Sequence, residues 1–217
     1  MTPRPTVLLA DDHAMLLEAF KTLLESRYDV VGTVVDGQAL VKAAGDLKPD
    51  VILADVAMPH LNGLDACERI RQRVPRAKVI VLTMDEDPDT AAEAIRRGAS
   101  GYLLKASAAS ELFEAMEQVL SGKIYIAPAI AKGPAGVFVA QAEKGKSSGL
   151  SLRQREVLQL LAEGKSMKEA ADILNITPRT IAFHKYSMME QLGLKTGADL
   201  IQHAVTLGLV SGRHSVT

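Results

Sequence analysis

Four uninterrupted apolar runs, Val7–Ala10, Val51–Ala54, Val79–Leu82 and Tyr102–Leu104, punctuate the first half of the chain. Continuous apolar character is what a strand buried on both faces requires, whereas a strand with one wet face alternates. A weaker fifth candidate, Val30–Val35, lies between the first two. Amphipathic segments separate the runs. In Ala14–Glu25, for example, Met15, Leu16, Ala19, Phe20, Leu23 and Leu24 share one helical face. Strands alternating with helices read as an α/β, doubly wound parallel sheet, whose functional site lies at the carboxyl ends of the strands.

That edge carries carboxylates. Asp11 and Asp12 follow the first run, and Asp55 ends the second. Three converging carboxylates repel one another unless a cation holds them, and a set of hard oxygen ligands suits Mg²⁺. The bland alternative for Asp12 is a helix N-cap. Capping does not account for Asp55, nor for Thr83 and Lys105 at the ends of the next two runs. Each of these alone reads as a strand-end hydroxyl or a solvated lysine. Their convergence on one edge is the informative feature.

The rest of the chain is organised differently. Residues 125–149 read as a linker, with Gly, Pro, Ser and Lys at its edges and an apolar patch, Val137-Phe138-Val139, that fits a short helix or a strand. Beyond it lie four helical segments with clear start signals. Ser151…Gln154 and Ser166…Glu169 have capping-box form, Thr177-Pro178 sets an N-cap before a first-turn proline, and Thr196…Asp199 opens the fourth. Gly164, Gly193 and Gly208 stand where helices stop. Between Lys168 and Gly193 a three-residue turn, Asn175–Thr177, joins two helices at helix-turn-helix spacing.

Charge follows the same division. Residues 1–125 hold 14 Lys/Arg against 19 Asp/Glu, and residues 126–217 hold 11 against 7. An acidic half beside a basic half fits a metal or phosphoryl partner for one and a polyanion for the other. No apolar run reaches the ~18 residues a membrane span needs, and the N-terminal apolar stretch is too short for a secretory signal. The single cysteine, Cys67, has no partner for an internal disulfide. A cytoplasmic location is the expectation.

The string VILADVAMPHLNG, with Asp11-Asp12, the VIVLT run and GYLLK, resembles the receiver domain of two-component response regulators over residues 5–124. The resemblance implies a flavodoxin-like fold with Asp55 as phosphoacceptor. It implies Asp12 as a direct Mg²⁺ ligand, Asp11 as a ligand through water, and the Ala57 carbonyl as a further ligand beside Asp55 itself. Thr83 and Lys105 would hold the phosphoryl group, Tyr102 would be the switch aromatic, and Pro59 and Gly63 would shape the loop. A phosphatase with an aspartyl-phosphate intermediate needs a second acid two residues past its nucleophile. Ala57 stands there, so an enzyme is not expected.

Residues 150–212 resemble the LuxR-type helix-turn-helix output domain of the NarL/FixJ group. That resemblance places Ile181, Met188 and Leu192 in the core and turns Ala182, Phe183 and Tyr186 toward bases. Arg179, Thr180 and Lys185 join them as candidate DNA contacts. His184 has two open roles, a phosphate contact or a buried structural one. The helix departs from close relatives, which carry lysine or arginine on this face, and residues 150–217 hold only 8 Lys/Arg against 6 Asp/Glu. One such module binds DNA weakly, because phosphate neutralisation dominates affinity. The implied partners are therefore a sensor histidine kinase, double-stranded DNA and, on phosphorylation, a second copy of the chain.

Overall fold

The computed structural model describes residues 3–84, 86–131 and 149–210. In chain order the elements are β1 (Thr6–Ala10), α1 (Ala14–Leu24), β2 (Asp29–Val34), α2 (Gly37–Leu47), β3 (Val51–Asp55), α3 (Gly63–Arg73), β4 (Lys78–Thr83), α4 (Pro88–Arg96), β5 (Gly101–Leu104), α5 (Ala109–Leu120), β6 (Tyr125–Ile126) and α6 (Pro128–Ala131). Four helices follow residue 149: α7 (Leu152–Ala162), α8 (Met167–Leu174), α9 (Pro178–Leu192) and α10 (Gly197–Thr206).

All strands of the first half join one parallel sheet in the order β2-β1-β3-β4-β5-β6. The order reverses at β1, so the crevice beyond the carboxyl ends of β1 and β3 is the topological switch point. The apolar runs behave as their sequence requires, with β3 buried along its whole length. The weaker fifth run is the edge strand β2, whose residues alternate between exposed and half-buried. Helix α1 corrects one expectation. It docks through Leu17 and Leu24, both buried, with Leu16, Phe20 and Leu23 half-buried, while Met15 is 88% exposed and Ala19 is also exposed. The packed stripe is rotated by part of a turn, which leaves Met15 on the rim of the sheet's carboxyl edge.

The reading that the linker begins at 125 also meets a difference. Tyr125–Ile126 extend the sheet beside β5, the Ala127 amide donates to the Tyr102 carbonyl at 2.9 Å, and Ile130 of α6 is buried. A strand of two residues leaves no periodicity to read. The Val137-Phe138-Val139 patch lies outside the described residues.

In the helical half the sequence signals are realised one by one. Ser151 with Gln154, Ser166 with Glu169, and Thr196 with Asp199 all form capping boxes. Thr177 caps α9 with Pro178 at its first turn, and Gly193 ends it at φ 67°, a left-handed conformation that costs most other residues backbone strain. The turn between α8 and α9 is Asn175–Thr177, with Asn175 in the left-handed region at φ 52°. A second core, including Val157, Leu158, Leu160, Ala171, Ile181, Met188 and Leu200, holds these helices together, with Leu192 packed at its edge. Among the described residues no helix is long and apolar enough to cross a membrane.

Candidate functional site

Strand register builds the site. Ala10 pairs with Ala54, so the next residues, Asp11 and Asp55, stand level on adjacent strands. Thr83 pairs with Leu104, which puts Lys105 one step beyond. Asp11, Asp55 and Thr83 are buried, and Lys105 Nζ lies 2.8 Å from Asp11 Oδ2 and 2.9 Å from Asp55 Oδ2. Burial pushes the Asp55 carboxyl above its ordinary value; the Lys105 ammonium opposes that, Asp11 reinforces it, and the Ala57 N–H, which donates to this carboxylate, opposes it again. Burial works against the charged form of Lys105, but its contacts with Asp11 and Asp55 prevail and hold its pKa above the usual lysine range.

The donor set suits a hard divalent cation. Ligand atoms of Asp11, Asp12, His13 and Asp55 all lie within 4.8 Å of one another. Asp11 Oδ2 and Asp55 Oδ2 are buried and meet Lys105 ionically, without a well-directed hydrogen bond. Oxygen lone pairs in that situation fit Mg²⁺. The capping role for Asp12 is not the one seen: His13 occupies the N-cap of α1, no side chain caps it, and Asp12 Oδ1 instead lies 2.9 Å from His13 Nδ1. Tyr102 of β5, three residues before Lys105, is fully buried.

The loop after Asp55 needs two glycines. A Cβ on Gly63 would sit 2.0 Å from the Asp55 carbonyl oxygen, and one on Gly37 would sit 1.8 Å from the Leu61 carbonyl oxygen. Their amides instead donate inward, Gly63 to Val56 O at 2.8 Å and Gly37 to Pro59 O at 3.2 Å.

The second candidate site is the outer face of α9. Phe183 and Tyr186 are 67% and 62% exposed, Arg179 is exposed, and Thr180, Ala182 and Lys185 are half-buried, while Ile181 and Met188 face the core. Large aromatics this exposed have no structural reason to face water. Lys185 Nζ lies 5.9 Å from the centroid of the Tyr186 ring, and Phe183 meets His184 edge-on. His184 is half-buried, and burial, then the nearby charge of Arg153, lower its pKa against the opposing Glu156.

The comparisons agree with both halves. Residues 7–117 match the family described as response regulator receiver domain, and residues 148–204 match the luxR family of bacterial regulatory proteins. The chain is a response regulator. It is 36% identical to the transcriptional regulatory protein MctR of Rhizobium johnstonii over 97% of this chain and 99% of the relative. It is 32% identical to the oxygen regulatory protein NreC of Staphylococcus aureus over 92% and 96%. Among solved structures, RcsB of Salmonella typhimurium resembles it with a TM-score of 0.63 at 26% identity over 95% of this chain and 99% of that one. RcsB of Salmonella enterica serovar Typhimurium, bound to a promoter in the presence of the phosphomimetic BeF₃⁻, gives 0.59 at 27% identity over 94% and 99%. The regulator thus belongs to the NarL/FixJ group of two-component, DNA-binding transcription regulators.

One set of residues in this response regulator escapes the sequence reading altogether. Helix α7 of the output domain docks on the loop after Asp55 and the first turns of α3. Arg155 Nε lies 2.6 Å from Asp65 Oδ1 and its Nη2 2.6 Å from Glu68 Oε2, while Arg69 pairs with the buried Glu156. Asp65 Oδ1 also receives Arg97 from the end of α4. Gln159 reaches Asn62 N at 2.7 Å and Met58 O at 2.9 Å. The outer face of α9, with Phe183 and Tyr186, is exposed in this arrangement.

Proposed function

We propose that Asp55 accepts a phosphoryl group from a sensor histidine kinase and that this step controls the binding of α9 to double-stranded DNA. The observation that carries the reading is the Lys105 ammonium held between Asp11 and Asp55. A carboxylate oxygen of Asp55 attacks phosphorus in line. A P–O bond forms as the donor's P–N bond breaks, and the imidazole nitrogen keeps the electron pair. Asp11, Asp12, Asp55 and the Ala57 carbonyl would hold Mg²⁺, which when bound supplies positive charge against the carboxylates and the phosphoryl oxygens. Lys105 stands where it neutralises the added charge, and the Thr83 hydroxyl, one strand over, offers a hydrogen bond to it. Ala57, two residues past the acceptor, provides no acid to release the product, so the acyl phosphate persists rather than turning over.

A charge-assisted contact from Lys105 contributes about 1.5–3 kcal/mol and one from Thr83 roughly 0.5–1.5 kcal/mol. Inverting a two-state population from 1:99 to 99:1 needs about 5.5 kcal/mol. A symmetric dimer of the phosphorylated form supplies the remainder and doubles the DNA contacts of a weakly basic module. The domains in this scheme are the receiver, which begins at residue 5 and includes β6 and α6 through residue 131, a connecting segment through 149, and the output domain, residues 150–212, in a protein of the cytoplasm.

Incubation with a small phosphodonor and Mg²⁺ should add one phosphoryl group, read as a mass increment, and chelation or Asp55→Asn should abolish it. Undiminished labelling of Asp55→Asn would remove the acceptor assignment. Steady hydrolysis of excess phosphoester would instead identify a phosphatase.

On α9, Tyr186 with Ala182 and Phe183 reads bases, and Arg179 with Lys185 holds phosphates. Lys185→Ala should weaken binding to all sequences alike and flatten the salt slope by about 1. Tyr186→Ala should alter which sequences are preferred and leave that slope nearly intact, because a phenol ring meets a thymine methyl without releasing counterions. Binding to a randomised site library at two salt concentrations separates the two. An unchanged sequence preference for Tyr186→Ala would show that α9 docks differently.

A further inference from the structure

The loop from Val56 to Asn62 carries Ala57, whose N–H donates to the Asp55 carboxylate. The peptide carbonyls on either side of Ala57 are each pinned. Val56 O accepts from Gly63 N at 2.8 Å, within the receiver. Met58 O accepts from Gln159 Nε2 at 2.9 Å, and Gln159 belongs to the first helix of the output domain. The same carboxamide spans the neck of the loop, since its Oε1 accepts from Asn62 N at 2.7 Å and from Asn62 Nδ2 at 3.3 Å. Its remaining N–H donates to Glu163 Oε1 at 2.8 Å, and that same oxygen accepts from His60 N at 3.0 Å. Every donor and acceptor of Gln159 is used, in a side chain 1% exposed. His60 holds φ at 65°, in the left-handed region that histidine enters more readily than most non-glycine residues.

We propose that Gln159 is a positioning residue for the phosphorylation site: the DNA-binding domain supplies the pin on the Met58 carbonyl, beside the receiver's own pin on the Val56 carbonyl. The inference rests on the reading of Asp55 and its neighbours as a Mg²⁺-dependent acceptor site. The loop as pinned accompanies an arrangement in which the Asp11, Asp12 and Asp55 oxygens already lie within reach of one cation. Removing the pin frees the loop, so cation binding must order it again and weakens. Coupling of this kind is reciprocal, so cation binding at the receiver strengthens the docking of α7 by the same factor. Arg155 and Glu156 anchor the helix to α3, whereas Gln159 bonds to the loop itself, at Met58 and at Asn62.

The test uses the full chain and Gln159→Met, which keeps side-chain length and volume but loses both ends of the clamp. In the metal-free protein, exchange of the Ala57 amide, which Gln159 does not touch, should speed up about tenfold. Mg²⁺ affinity, followed by the shift of that amide, should fall roughly three- to tenfold. The rate of labelling by a small phosphodonor should drop at limiting Mg²⁺ and recover at saturating Mg²⁺, a pattern that simple loss of folded protein does not give. In the unaltered chain, saturating Mg²⁺ should slow exchange at the backbone amides of Gln159 and Glu163. Ala57 exchange and Mg²⁺ affinity equal to those of the unaltered chain would overturn the proposal, as would tighter Mg²⁺ binding by Gln159→Met. If the unaltered chain neither bound Mg²⁺ nor accepted a phosphoryl group, the site assignment itself would fall first.

Discussion

Asp65→Ala is expected to lower the melting temperature by roughly 10 °C, the equivalent of about 3 kcal/mol in a chain of this size. Asp65 is fully buried, and its Oδ1 receives both Arg155 from the output domain and Arg97 from the end of α4. Its own amide donates to Asn62 Oδ1 and its Oδ2 accepts from Asn62 Nδ2, at 2.9 Å each, so the N-cap of α3 loses a member too. Removing one partner of a buried pair leaves the other charge uncompensated, which costs about 3–5 kcal/mol. The lower end applies because Arg155 keeps Glu68 and the Leu150 carbonyl, and Arg97 keeps Glu93. The loss falls on the contact between domains as well as on the receiver. Solution scattering of Asp65→Ala should therefore show a larger radius of gyration. An unchanged melting temperature with an unchanged radius would show that this network contributes nothing.

Gly63→Ala is expected to be at least as damaging, by a different route. The added methyl would lie 2.0 Å from the Asp55 carbonyl oxygen and 3.1 Å from the Val56 Cα, both backbone atoms with no rotamer to escape into. The start of α3 and the end of β3 must separate, at a cost of about 3 kcal/mol or more. The same separation breaks the Gly63 N–H bond to Val56 O and moves the Asp55 carboxylate. Thermal melting should drop by roughly 10 °C, and labelling of whatever folds should be slow even with saturating Mg²⁺. A Gly63→Ala chain that melts within about 2 °C of the unaltered one and labels normally would contradict the packing described here.

Much of this was legible in the chain because local signals and the global fold agree. The apolar runs specify strands buried on both faces, and the residues that follow them fall at one edge because parallel strands share a direction. Asp11, Asp55, Thr83 and Lys105 were therefore readable as a group. Caps and glycines of the output domain were readable for a similar reason, since each satisfies backbone groups within four residues of itself.

What was hidden depends on distant partners. Arg155 and Gln159 stand four residues apart on the face of α7 away from its own core, which by itself reads as a solvated face. Asp65 looks like an ordinary acid in the first turn of a helix. Nothing local says that these two faces meet across about 90 residues of chain, as the Arg155–Asp65 pair does at a separation of 90. Sequence signals for such a contact are weak, although a polar pair that repeats at helical spacing opposite a complete apolar stripe is one place to look. The Met15 reading failed for a narrower reason: an apolar side chain in the first turn of α1 satisfies the periodicity whether it faces the core or the rim.

The central claim is that a phosphoryl group on Asp55 governs the reading of DNA by α9. It is tested most directly by quantitative DNA binding of the full chain, with and without a small phosphodonor and Mg²⁺, beside Asp55→Asn. The site comes from selection on a random library with the phosphorylated protein. Phosphorylation should tighten binding of the unaltered chain by at least tenfold and shift it to a dimer in sedimentation, while Asp55→Asn stays at the weak, monomeric level under both conditions. Equal affinity of the two chains with phosphodonor present, or a response to phosphodonor that survives in Asp55→Asn, would contradict it.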